Sequence, residues 1–228
     1  MRYAVAASIA TALLAACGSL EDLPVRAPSA GGDPCRVGPS LDAWLESDNL
    51  SACAATGDAR AQAYLGISYW SGADAEYFES GQYDGMSREQ LESEGRRLIE
   101  TAANRGNREA ENELGLAYLK GLYGVPVDTE RAFSLFTAAD LAGDPLATYN
   151  LARMHYAGYG RPRSPAEAER LLWRSVASGY QPALCTLALL REREQAPRTA
   201  EVFRTAARAL DYGYRCAIDH SDVVEEFR

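Results

Sequence analysis

Small and apolar residues recur along this chain at a helical interval, and the interval itself repeats. The pattern Gly-x-x-x-Ala-x-x-x-Leu appears at Gly57/Ala61/Leu65, Gly106/Ala110/Leu114, Gly143/Ala147/Leu151 and Gly179/Ala183/Leu187; a fifth start, Gly213/Ala217, lacks the Leu. Successive glycines lie 49, 37, 36 and 34 residues apart. Ala and Leu four residues apart share one helix face, and self-similarity at this period predicts helical hairpins stacked as a solenoid. The residue after each Leu is small: Gly66, Gly115, Ala152 and Ala188. Gly inside a helix costs roughly 1 kcal/mol against Ala, so its use in two copies predicts a close helix crossing there. The Gly that opens each pattern suits a helix C′ position with positive φ.

A second helix per unit is predicted by Leu91/Leu98/Ile99/Ala102, Ala132/Phe133/Phe136/Ala139 and Ala168/Leu171/Leu172/Val176, whose spacing is helical and not alternating. Capping-box sequences mark its start at Ser87–Gln90 and Ser164–Glu167, the latter with Pro165 at the first helical position. Asp128 is placed to cap the central unit. The large slot nine residues after each starting Ala (Trp70, Leu119, Tyr156) reads as core, with Tyr69, Tyr118 and His155 just before it. The Gly-rich turns 121–124 and 158–160 carry Tyr123 and Tyr159, which serve the turn first.

The slots filled by Ala110, Leu114, Gly115, Tyr118, Gly121, Gly124, Val125, Asp128, Ala132, Ala139 and Gly143 resemble the Sel1-like repeat, a relative of the tetratricopeptide repeat. The third copy departs from it, with Ala152 and His155 in place of Gly and Tyr, and the fourth lacks the Gly-rich turn and has Pro197 instead. The resemblance covers residues 41–220. It implies an all-α chain, a right-handed α/α solenoid made of a half-repeat over 40–56, repeats over about 57–106, 107–143, 144–179 and 180–213, and a C-terminal capping helix over 214–228. A plain tetratricopeptide array, with a period of about 34 and a shorter turn, is the nearest alternative.

Ahead of the repeats, residues 1–16 place one Arg before a 14-residue apolar run. That run is too short to span a bilayer and fits a signal-peptide core. Leu14-Ala15-Ala16-Cys17 resembles a bacterial lipobox, which implies that Cys17 becomes the mature N-terminus and carries lipid. An ordinary secretory signal with a chance Cys is the competing reading. By resemblance to lipoproteins of two-membrane bacteria, Gly18 in place of an inner-membrane-retaining Asp implies the outer membrane over the inner, facing the periplasm. Residues 17–39 are rich in Gly, Pro and Ser without periodicity and read as a tether.

Charge narrows the partners. Without residues 1–16, 22 Lys+Arg stand against 32 Asp+Glu, a net charge of −10. An acidic surface argues against nucleic acid and against a polybasic grip on anionic lipid. The membrane contact expected is the lipid on Cys17. Of five cysteines, four remain after lipidation: Cys35, Cys53, Cys185 and Cys216. An even number in an exported chain points to two disulfides, against buried free thiols. Three pairings are open; Cys35–Cys53 with Cys185–Cys216 is favoured because each joins neighbours in the array.

Three stretches carry candidate function or packing. Ser40 fits an N-cap for a half-repeat whose Trp44 and Leu45 read as core. The first unit exceeds the others by about twelve residues, and the excess, between Gly72 and Ser87, is acidic and aromatic. Insertions in repeat arrays fall in loops, often on the binding face. Tyr77, Phe78 and Tyr83 are therefore candidate partner contacts, or else aromatics folded back over the solenoid. At the other end, Asp219, Asp222, Glu225 and Glu226 fit a solvated capping helix, and His220 reads as surface.

No HExxH, GxSxG, P-loop or GxGxxG is present, and neither CxxC nor a His cluster offers metal ligands. No catalytic, cofactor or metal residues are expected, and no enzyme activity. The resemblance implies a lipid-anchored envelope adaptor that binds other proteins. Lipid-anchored relatives support polysaccharide secretion or envelope maintenance. Cysteine-rich secreted relatives, linked to β-lactam binding and hydrolysis, imply the alternative of a muropeptide-, polysaccharide- or β-lactam-interacting protein with a glycan ligand; those carry a Cys pair in nearly every repeat, whereas the second and third units here have none.

Overall fold

The structure, a computed structural model, describes residue 35 and residues 50–73, 85–193 and 197–209, all within the unit Pro34–Arg228. Cys17, Ser40, Trp44, Leu45, Tyr77, Phe78, Tyr83, Cys216 and His220, and with them the signal, tether, insertion and 214–228 expectations, lie outside the described residues. Within them the elements are all helices: α1 (Leu50–Ala55), α2 (Ala59–Ala73), α3 (Arg88–Ala103), α4 (Arg108–Lys120), α5 (Thr129–Leu141), α6 (Pro145–Ala157), α7 (Pro165–Ala177), α8 (Pro182–Arg193) and α9 (Pro197–Ala209). The pairs α2/α3, α4/α5, α6/α7 and α8/α9 pack most closely, and α3, α5 and α7 each also pack on the first helix of the next pair. This is an all-α solenoid: one layer of first helices (α2, α4, α6, α8) and one of second helices (α3, α5, α7, α9).

The periodic slots meet at the pair interfaces. Ala61, Ala110, Ala147 and Ala183 are fully buried, as are Leu91, Ile99, Phe136 and Leu172 from the second helices; Trp70, Leu119 and Tyr156 are core too. The small residues sit where the helices cross. A Cβ on Gly66 would lie 2.6 Å from Ile99 Cγ1 and 3.0 Å from the Gly95 carbonyl oxygen; Gly95 in turn lies 2.6 Å, measured the same way, from Trp70 Cδ1. Trp70 Nε1 donates to the Glu92 carbonyl at 3.2 Å, which holds the ring over Gly95. Because one obstacle is backbone, Gly66→Ala is expected to push α2 and α3 apart and cost about 1–3 kcal/mol as overpacking, despite its better helix propensity. Urea denaturation checks this; an unchanged midpoint would mean that the crossing is loose.

Caps close most of these helices. Ser87 and Gln90 form the reciprocal capping box, and Asn107, Asp128 and Asp144 cap α4, α5 and α6 through their side-chain oxygens. The unit-ending glycines Gly57, Gly106, Gly143 and Gly179 all have positive φ. The expected box at Ser164–Glu167 does not form. Ser164 is the N-cap of α7, with Pro165 following it, but its side chain makes no cap bond. The reason is competition: the Ser164 N–H that Glu167 would accept from donates to the His155 carbonyl at 2.7 Å, and Arg170 takes the Glu167 carboxylate at 2.5 Å.

The Gly-rich turns serve the joints between units. Tyr123 stacks on Trp70 of the preceding unit at 4.5 Å between ring centroids, and Arg96 Nη2 donates to the Tyr123 carbonyl at 2.5 Å. One unit later Arg161 lies 3.9 Å over the Phe133 ring. At the N-terminal end, Leu50, Cys53 and Ala54 of α1 cover Ala61 and Tyr64, with half-buried Cys35, Leu65 and Ile67 against them. Cys35 and Cys53 form a disulfide, with Cα atoms 5.4 Å apart. Closing a loop of this size contributes about 3 kcal/mol on the chain-entropy estimate.

A candidate binding face on the first helices

Each first helix turns its starting Ala and the small residue after the Leu towards its own second helix, as the approach of Gly66 to Ile99 and of Gly115 to Phe136 shows. At about 100° per residue, the positions two, three and six after that Ala point to the other side. Those positions are Ala63, Tyr64 and Ile67 on α2; Asn112, Glu113 and Leu116 on α4; Tyr149, Asn150 and Arg153 on α6; and Cys185, Thr186 and Leu189 on α8.

Polar side chains in these slots bond from one unit to the next. Asn150 Nδ2 donates to Asn112 Oδ1 at 2.8 Å, and Tyr149 and Thr186 share a hydrogen bond at 3.1 Å. In both cases the second slot of one unit meets the third slot of the next. The bonds around Asn150 run in one direction: Arg153 Nη1 donates to Asn150 Oδ1 at 3.0 Å, Asn150 donates to Asn112, and Asn112 Nδ2 donates to Glu113 Oε1 at 3.3 Å. A cation thus stands at one end and a carboxyl at the other, which sets the orientation of both amides. Asn112 and Asn150 are each 1% exposed, so neither has water as a substitute partner. Asn150→Ala is expected to remove the donor to Asn112 Oδ1 and the acceptor of the Arg153 Nη1 hydrogen bond and to cost about 1–2 kcal/mol. The check is urea denaturation beside Asn150→Asp, which keeps the acceptor but not the donor.

Glu113 shows what happens where the ladder lacks a rung. The slot facing it from the preceding unit is Ala63, which has nothing to donate. Burial pushes the Glu113 carboxyl up to about 7; the Asn112 hydrogen bond pulls it down, and the charge of Asp144 adds to the rise. Burial also raises Glu111, and it raises Asp144 against the hydrogen bonds from the Leu146 and Ala147 backbone. The slot six after the starting Ala holds half-buried Leu116, buried Arg153 and half-buried Leu189; the Arg153 guanidinium sits 6.0 Å from the Tyr149 ring, and Tyr149 also packs on Tyr180 at 5.0 Å. Among the described residues the face carries two fixed amides, the Arg153 guanidinium, the Glu113 carboxyl and half-buried Leu116 and Leu189. It can hold a protein segment; it presents no nucleophile–base pair. Among the described residues no group of three or more His, Cys, Asp or Glu side chains converges to hold a metal ion.

Of the residues singled out in the sequence, Cys35 and Cys53 are joined, and Cys185 is disulfide-bonded to a cysteine outside the described residues. His155 is half-buried with its ring edge-on to Phe133 at 5.7 Å, a packing role. Asn112, Tyr149, Asn150 and Thr186 were missed; the signal was the polar character shared by the second and third slots once the units are aligned on their Ala.

A family model described as Sel1 repeat matches residues 59–107, 108–144 and 145–180. The pair α8/α9 lies beyond the matched residues. Among solved structures the chain is similar to a Sel1 repeat protein from Oxalobacter formigenes, at 30% identity over 59% of this chain and 91% of that one, with a TM-score of 0.47. It is also similar to a protective antigen present in uropathogenic Escherichia coli strains that displays an SLR fold, at 22% identity over 75% of this chain and 41% of that one, with a TM-score of 0.45. No curated protein matches. The three matched repeats span more than half of the chain, which therefore belongs to the Sel1 repeat family.

Proposed function

We propose that this protein is an adaptor of the bacterial cell envelope, lipid-anchored at Cys17 to the outer membrane and facing the periplasm, which holds other proteins against the face of its first helices. The observation that carries the reading is that face: hydrogen bonds fix Asn112, Asn150 and Arg153, and half-buried Leu116 and Leu189 hold the slot equivalent to Arg153 in the units before and after. A surface whose guanidinium, amides and carboxyl are held by one another between leucines suits protein recognition, because little side-chain entropy is lost on binding. Sel1 repeats generally mediate protein–protein interaction, and stacked helix pairs offer extended surfaces for it. The Cys35–Cys53 disulfide supports an oxidising compartment, and the lipobox resemblance supplies the anchor. The insertion bearing Tyr77, Phe78 and Tyr83 is a second contact candidate. The reading assigns no reaction and no cofactor.

The test is affinity recovery of the full lipoprotein from crosslinked envelopes, read by mass spectrometry. A small reproducible set of envelope proteins is expected, lost in Leu116→Glu and retained in the exposed-site control Leu141→Glu. Recovery of glycan fragments alone would replace the reading with a ligand site. Cys17→Ser is expected to move the protein from the membrane to the soluble fraction; an unmoved variant would dispose of the lipid anchor.

A further inference from the structure

The two Gly-rich turns close alike and differ in charge. Gly121 and Gly158 end their first helices with φ of 70° and 81°, and Gly124 and Gly160 follow with φ of 68° and 65°. The Asp128 N–H donates to the Tyr118 carbonyl at 2.9 Å, as the Ser164 N–H does to the His155 carbonyl at 2.7 Å. Aligned on the second glycine, Val125, Val127 and Asp128 of one unit become Arg161, Arg163 and Ser164 in the next. Two cations are gained and a carboxylate is lost, with the same closure. Val125 is buried, whereas Arg161 in its place is exposed.

Three guanidiniums at this edge lie on aromatic rings: Arg131 on Tyr118 at 4.4 Å, Arg161 on Phe133 at 3.9 Å and Arg163 on Tyr156 at 4.9 Å. Phe133 meets His155, the neighbour of Tyr156, so the supporting rings run from one unit into the next. All three arginines are exposed, and among the described residues no carboxylate pairs with them. Elsewhere Arg97, Arg170, Arg174 and Arg191 each hold a carboxylate. The chain has 32 Asp+Glu against 23 Lys+Arg, so scarcity of acids does not explain the difference. Over residues 120–131 and 158–166 the charges are Lys120, Arg131, Arg161 and Arg163 against Asp128 and Glu130. Asp128 caps α5, and just beyond the turns Glu167 and Glu169 are taken by Arg170 and Arg191. The edge is thus a cationic patch on an acidic chain. It is also apolar: Leu122, Val127 and Tyr159 are three of the five large hydrophobic side chains exposed among the described residues.

We propose that the turn edge of the second and third units docks an acidic segment of another protein, whose carboxylates take the N–H edges of Arg131, Arg161 and Arg163 and whose apolar side chains cover Leu122, Val127 and Tyr159. A guanidinium laid on a ring keeps its in-plane N–H donors for another group, and the stacking fixes that plane. Arg163 uses one donor, Nε, on the Tyr156 carbonyl at 2.9 Å. Fixed arginines suit paired N–H···O bonds to carboxylates, and arginine with exposed tyrosine and aliphatic groups is the composition of protein interfaces. A polymeric polyanion or an anionic bilayer would face the whole acidic surface and be repelled; a short acidic segment meets the patch alone. The inference rests on the adaptor reading for the class of partner and adds a second surface, at the C-terminal ends of α4 and α6, with its own charge preference.

The test is selection of random dodecapeptides on the intact protein in detergent, read by sequencing. The enriched peptides are expected to be rich in Asp and Glu together with Leu, Val or aromatic residues. Enrichment without acidic bias, or none, would overturn the proposal. Arg161→Val with Arg163→Val installs the side chains that the second turn already carries, and is expected to weaken the best peptide about tenfold or more; unchanged affinity overturns the proposal. Should that variant lose its helical circular dichroism, Arg161→Lys with Arg163→Lys decides: it keeps the charge without the planar fork and is expected to weaken binding several-fold, and equal binding overturns the proposal. Dextran sulfate displacing the peptide at equal charge would make the edge a general polyanion site and also overturn it. Peptide binding lost in the valine variant, with no envelope protein recovered by the parent, would fail the adaptor reading alone. Envelope proteins lost in Leu116→Glu but kept in the valine variant, with no acidic peptide selected, would fail the turn edge alone.

Discussion

Phe136→Ala is expected to lower stability by about 3–5 kcal/mol, towards the upper end for a buried aromatic. The ring is fully buried, and it lies directly over Gly115, where a Cβ would sit 2.7 Å from Phe136 Cε1. The cost of such a cavity depends on how far its walls collapse, and here the facing wall is bare helix backbone with no side chain to swing in. Stacked units touch only their neighbours, so the damage is expected to be local. Hydrogen exchange should rise first in α4 and α5 while α7 and α8 hold. Uniform acceleration across the array would mean that the units unfold as one body. Gly115→Ala combined with Phe136→Leu is expected to cost less than the two changes summed, because the smaller side chain makes room for the methyl.

The second large effect has the opposite sign. Glu113→Gln is expected to stabilise the protein by roughly 2–3 kcal/mol at pH 8 and to do little at pH 5. The folded-state value of about 7 lies above the ordinary 4.5 because burial disfavours the charged carboxylate. Folding therefore favours the protonated form. Stability from this group is fully present below about 4.5 and is lost as pH rises through about 7. Glu111 and Asp144, also raised, tilt the curve the same way. Glu94 and Glu167 are held down by hydrogen bonds from Arg97 and Arg170, so their contribution is lost only on acidification below the ordinary carboxylate value. The interval between pH 5 and 7.5 thus belongs mainly to Glu113. Urea midpoints across it should fall with pH in the parent and stay nearly level in the variant. Parallel slopes would refute the assignment.

The helix pairs were legible because apolar and small slots recur: Ala110 with Leu114 marks a face, and Gly115 after it marks a close crossing, whatever the rest of the unit does. The ladder was not legible in the same way. Asn112, Tyr149 and Cys185 share a slot but differ in type, and what they have in common is a partner about 37 residues away, as for Asn112 with Asn150 and Tyr149 with Thr186. Long-range competition also undid the box at Ser164. The local sequence carries the motif, but the carbonyl that satisfies the Ser164 N–H belongs to His155 of the preceding helix. Tyr123 reads locally as a turn residue; that it stacks on Trp70 depends on how one unit leans on another. The expectation for Tyr77, Phe78 and Tyr83 rests on composition and falls outside the described residues, whereas the first-helix face is built from buried positions that composition cannot single out.

The offset pairing of slots makes the units ordered bricks and not interchangeable ones. Excising residues 145–180 would bring Asn112 beside Thr186, an amide beside a hydroxyl, and the seam would still match. Excising 108–144 would instead set Ala63 against Asn150 and leave a buried amide facing a methyl group. Shortening or recombination of this array is therefore tolerated at one joint and resisted at the next, although the two excised segments differ in length by a single residue.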